Sequence, residues 1–111
     1  MTTITDEVMR EALARTKPYS LMILKSGPRR GETDAARIIW EHGRRNLALR
    51  AEGKLAIVCP VTSASDICGI GIFNTEPDET KRIMDDDPGV KAGVFVYEVH
   101  ACRSFPGDVL P

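Results

Sequence analysis

KLAIVCPVTSASDICGIGIF, residues 54–73, is the stretch that decides the fold. Two apolar runs, KLAIVCPV (54–61) and DICGIGIF (66–73), flank the polar turn Thr62-Ser63-Ala64-Ser65, the pattern of paired strands. Pro60 cannot donate to a ladder, so the first strand ends there or lies at a sheet edge. In the second strand Gly69 and Gly71 share one face, a strip without side chains that another group can approach closely. Gly53, just before the pair, is placed to stop a preceding helix.

Working outward, residues 33–51 read as a long helix with Thr33 or Asp34 as its N-cap. Before it, YSLMILKS (19–26), bounded by Pro18 and Gly27, reads as a strand covered on both faces. After the pair, residues 76–86 predict a short helix capped near Thr75 and broken by Pro88-Gly89. VKAGVFVYEVHA (90–101) is the last strand. A first helix over 5–16, with Thr5 as N-cap and Asp6 and Glu7 in its first turn, ends at Pro18 and stands as an appendage. The order is α–βαββαβ. Its most economical form is an α+β, ferredoxin-like sandwich with two helices on one face of an antiparallel sheet. The 111 residues make a single domain: extension 1–17, core 19–101 and irregular tail 102–111. Strand 19–26 carries Leu21 and Ile23 on one face, Met22 and Leu24 on the other, and the helices cover only one. A second copy of the sheet is the simplest cover for the other face, so a homodimer through the sheet is expected.

Composition narrows the class. With 15 Lys+Arg against 16 Asp+Glu the net charge is −1, which gives no electrostatic ground for nucleic acid or an anionic membrane as partner. No apolar run approaches the ~20 residues of a membrane span, and the first residues do not resemble a signal peptide. Cys59, Cys68 and Cys102 form no CxxC pair, so neither a disulfide scaffold nor structural zinc is expected, and a reduced, cytoplasmic setting is. Residues 1–55 hold 11 Lys+Arg and 7 Asp+Glu, whereas 56–111 hold 4 and 9. Such halves complement each other within one fold or across a dimer.

Chemistry is suggested by polar residues in apolar places. A helical wheel of residues 33–51 gathers Ala35, Ile38, Ile39 and Leu49 in one sector, widened by Trp40 and Leu47, with His42 and Asn46 inside it. Arg37, Glu41, Arg44 and Glu52 take the opposite side. An imidazole on a buried stripe must find a hydrogen-bond partner. The short helix offers one: its stripe of Thr80, Ile83 and Met84 continues one step to Asp87, the third acid of Asp85-Asp86-Asp87. A carboxylate there would orient His42 and fix its tautomer, which a general base needs. The plainer readings are a satisfied core or interface histidine and a solvated acidic turn. His100 and Cys102, two apart on one face, lack the further ligands a metal site requires. Gly27-Pro28-Arg29-Arg30-Gly31 precedes a helix and either cradles an anion or is a flexible basic loop; it lacks P-loop spacing.

The chain resembles the YCII-related family of the dimeric α+β barrel superfamily over roughly residues 19–101. The likeness rests on Ile39-Trp40-Glu41-His42, Gly53, Gly69-Ile70-Gly71-Ile72-Phe73 and Asp87-Pro88. It implies a ferredoxin-like protomer paired back to back and an active-site pocket around His42 and Asp87. It also implies lyase or isomerase chemistry on small ring compounds, known within that superfamily. The aromatic that usually follows Asp-Pro is Gly89 here, and Phe105 of the tail is a candidate to supply it. Asn46, Tyr19 and Arg44 are the other candidate substrate-binding residues, and Tyr97 is a further candidate to line the pocket. No GxSxG elbow or cofactor loop is present, so cofactor-independent acid/base catalysis on a small-molecule ligand is expected. The alternative is a non-catalytic small-ligand-binding or interaction module. A third reading, a haem-dependent oxygenase, needs His42 or His100 as axial ligand.

Overall fold

The computed structural model describes all 111 residues. In chain order the elements are α1 (Asp6–Ala14), β1 (Lys17–Ser26), α2 (Ala35–Ala51), β2 (Leu55–Pro60), β3 (Ile67–Phe73), α3 (Pro77–Asp85), α4 (Pro88–Lys91) and β4 (Phe95–Ser104). The four strands form one antiparallel sheet in the order β2-β3-β1-β4. This is an α+β architecture compatible with the ferredoxin-like fold. Pro60 ends β2, which is an edge strand, so its missing N–H breaks no ladder. No helix is long and apolar enough to cross a membrane.

Side-chain parity divides the sheet. Ser20, Met22 and Leu24 point into the helix layer and are buried, as are Gly71 and Phe73 beside them on β3. Tyr19, Leu21 and Ile23 point the other way and are only half-buried. Only 16 of 111 residues are buried, because the helices cover one face and leave the other open. Within the helix layer α2 packs on β2 and α4, whereas α3 packs on β4 and β1. Two buried hydroxyls of this layer are satisfied: Ser20 Oγ donates to Thr75 O at 2.8 Å, and Thr80 Oγ1 donates to Glu76 O at 2.9 Å.

α1 forms where its cap predicts, with Thr5 Oγ1 accepting from Val8 N at 3.2 Å, yet it buries no residue. Ile4, Val8, Met9 and Leu13 remain exposed. The helix projects from the core, and the Cα radius of gyration is 16.3 Å, against about 13 Å for a compact domain of ~100 residues.

Several boundaries differ from those the sequence suggests. α1 ends at Ala14, and β1 begins at Lys17, with Pro18 inside the strand opposite Arg103. α2 starts at Ala35, and Asp34 makes no capping bond because its carboxylate pairs with Arg37 at 2.8 Å. Trp40 and Leu47 are exposed rather than part of a buried stripe. The largest change lies before β4. Pro88–Lys91 is a short helix, so the last strand starts at Phe95 instead of residue 90 and runs three residues past 101. Proline at the first position of a helix loses no hydrogen bond, so Pro88 initiates a turn of helix where it also stops the previous one.

Candidate active site

α4 explains Asp87. The residue does not continue the stripe of α3; it is the N-cap of α4, with extended backbone that turns its carboxylate inward. Oδ2 accepts from Gly89 N at 2.9 Å and Val90 N at 3.2 Å. Oδ1 accepts from His42 Nδ1 at 2.8 Å. Asp87 is completely buried and His42 is 7% exposed. Its two acidic neighbours behave differently. Asp86 is solvated, and its bond to Lys91 holds it below the usual carboxylate range; Asp85 accepts from Tyr97 Oη at 2.6 Å.

A carboxylate only accepts, so the proton of the His42–Asp87 bond sits on Nδ1. Nε2 is left as an acceptor and takes an N–H from the Asn46 amide at 3.1 Å. His42 and Asn46 are one helical turn apart on α2, which brings the amide over the ring edge. Phe95, the first residue of β4, supports the imidazole with ring centroids 4.8 Å apart and planes tilted by 53°. Arg45 Nη1 lies 3.8 Å from Asp87 Oδ1, too far for a hydrogen bond but close enough to offset its charge.

His42 and Asn46 open onto a cavity of about 610 Å³ between α2 and the β2–β3 half of the sheet. Gly69 and Gly71 lie in its floor. A Cβ on Gly69 would meet only the β2 backbone, at 3.3 Å from Cys59 O. One on Gly71 would press on Leu55, Phe73 and Met22, all within 3.4 Å. Bare strand therefore serves the cavity at Gly69 and core packing at Gly71. Arg44 stands at the cavity rim, as do Trp40 and Leu47.

Tyr19 and Phe105 are not brought to His42. They line a second cavity of about 450 Å³ with Ile57, Ile72 and the tail. Tyr19 shares the parity of Leu21 and Ile23, so it faces away from the helices. Tyr97 is tied to α3 through Asp85 and the Lys81 carbonyl, outside either cavity. His100 is on the open sheet face beside Glu98 at 3.3 Å, and no group of three or more His, Cys, Asp and Glu is arranged to hold a metal ion. Arg45, Phe95 and Arg30, which also lines the His42 cavity, are the residues the sequence did not single out for this site. For Arg45 a signal was present: it is three residues after His42 on α2.

No protein-family model matches the chain, and no curated protein matches its sequence.

Proposed function

We propose that this chain is a YCII-like small-molecule enzyme that performs cofactor-independent acid/base chemistry of the lyase or isomerase type. The observation that carries the reading is the buried His42 Nδ1–Asp87 Oδ1 bond of 2.8 Å, which leaves Nε2 as the proton acceptor beside the cavity. In this reading His42 is the general acid/base, Asp87 orients it, and Asn46 holds Nε2 until substrate displaces its amide. The α+β fold, the histidine on the first core helix, Gly53 at φ +78° before β2 and the Asp87-Pro88 step all support the YCII resemblance.

The protein acts as a homodimer in this proposal, with the open sheet face meeting a second copy. The half-buried Leu21, Ile23, Ile70 and Ile72 on that face support it.

One observation favours the alternative, a binding module with His42 as anchor: Asn46 already occupies the Nε2 acceptor. A screen of small organic substrates by NMR, run on wild type, His42→Ala and Asn46→Ala, separates the two. The enzyme reading expects turnover that falls by about 10²–10⁴-fold in His42→Ala. Turnover that survives in His42→Ala sinks it, and ligands that bind unchanged by wild type and are never converted favour the binding module.

A further inference from the structure

The His42 cavity is charged with one sign only. Its walls carry two guanidiniums, Arg30 and Arg44, and no carboxylate. Asp87 lies behind the imidazole, held by three N–H groups and faced by Arg45. At the rim Arg44 is paired with Glu41 at 3.2 Å. Arg30 has no such partner, for the acids near it are taken: Glu32 by Arg29 at 2.7 Å and Asp34 by Arg37 at 2.8 Å. Its guanidinium lies over the Phe95 ring instead, 5.8 Å from the centroid. The same ring supports His42, so the free cation and the imidazole rest against one side chain.

The position of Arg30 follows from the backbone. Gly27 N donates to Val94 O at 2.8 Å and Arg29 N to Gly93 O at 2.9 Å, so the 27–31 turn is fastened to the start of β4. Only glycine fits at 27, because a Cβ there would run into the Gly93 carbonyl. The basic turn is thus fixed beside Phe95.

We infer that the cavity takes a small organic acid, an apolar body bearing one carboxylate, with Arg30 as the residue that holds the carboxylate. The inference rests on the proposal that this cavity is the reaction site, and adds the substrate class. An unpaired guanidinium presents a fork that matches a carboxylate. A cleft of one sign with apolar walls such as Ile39, Leu47 and Val58 concentrates anions of this kind. A volume of about 610 Å³ is ample for such a molecule.

The test titrates naphthoate and its uncharged counterpart naphthamide into wild type, Arg30→Gln and Arg30→Lys, reading the ring resonances of the two histidines. Wild type is expected to prefer the acid by about ten-fold or more, with His42 signals moving and those of His100, on the open sheet face, still. Arg30→Gln removes the preference while leaving naphthamide binding unchanged, and Arg30→Lys restores part of it. Equal affinity for acid and amide, a preference that survives Arg30→Gln, shifts at His100 alone, or no binding of either compound to wild type overturns the inference. His42→Gln, titrated through the naphthyl resonances of the ligand because its own His42 signal is gone, separates it from catalysis. If that variant keeps the acid preference while no acid is turned over by wild type, the anion site stands and the enzyme reading falls. Turnover of neutral compounds without any acid preference gives the reverse.

Discussion

A methyl group on Gly89 would lie 2.5 Å from the ring of Phe95. That clearance ties α4 to the candidate site, because Gly89 N also donates to Asp87 Oδ2 and Phe95 also supports His42. Gly89→Ala is therefore expected to destabilise the fold by about 1–3 kcal/mol through overpacking and to shift the His42 ring resonances. Denaturant unfolding together with NMR checks both. Unchanged stability with an unchanged His42 signal would show that Phe95 moves aside freely.

Asp87→Asn tests the carboxylate with almost no change of shape. Asp87 uses two oxygens to accept from three N–H groups, whereas an asparagine amide has one acceptor oxygen and adds donors. Either the α4 cap is lost, or the His42 bond survives only in reverse, with the amide donating to an Nδ1 that no longer carries the proton. We expect a loss of about 1–3 kcal/mol in stability and, by nitrogen NMR, a His42 no longer held as the Nδ1–H tautomer. A tautomer and a stability both equal to wild type would contradict the pairing described above.

Tyr97 gives a pH prediction of defined sign. Burial first, then its hydrogen bond to Asp85 and the charge of that group, push its phenol up to about 12. The folded state thus holds this proton more tightly than the unfolded chain, whose phenol ionises near pH 10. The contribution to stability is complete below about pH 10 and is lost as pH rises towards 12. Ultraviolet titration should show one tyrosine ionising at the higher value, absent in Tyr97→Phe. Ionisation of both tyrosines together near pH 10 would refute this.

How much of this was legible in the sequence depended on the kind of signal. The strands at 54–73 and the helix behind them follow from period and punctuation. The approach of Asp87 to His42 follows from the helical wheel, though the wheel assigned Asp87 to the wrong helix. Pro88-Gly89 reads equally as a stop and as a start, and only the extended backbone of Asp87 decides between them. Parity separates Leu21 and Ile23 from Met22 and Leu24, but sequence gives no rule for which face the helices choose, and Tyr19 falls on the open one. Arg30 was visible only as part of a basic loop. Its place at the cavity comes from the backbone approach of Gly27 to Gly93, a contact between residues 66 apart in the chain.

The open face of the sheet bears on assembly. Ile23 lies on it between Ile70 and Glu98. Lys25 and His100 also bond Glu98, at 2.6 and 3.3 Å, and give the face a polar corner. Ile23→Lys would set an ammonium beside Glu98 and leave the protomer's helix-side core untouched. In sedimentation experiments the wild type is expected to run as a dimer and Ile23→Lys as a folded monomer. A wild type that sediments as a monomer at all concentrations removes the dimer from the proposal.

Both partners of β1 are remote in the chain, β4 the more so. Residues Lys17 to Ser26 pair with Ser104 back to Phe95, across almost the whole sequence, and no strand nearer in the chain takes that side. Closing so long a loop brings no reward until both strands are aligned, which places this protein among slowly assembling topologies. In the interval one edge of an apolar strand stands unpaired and open to the same edge of another molecule. The topology should therefore leave its mark on refolding yield: recovery from denaturant falls as protein concentration rises, even though the finished sheet is sound.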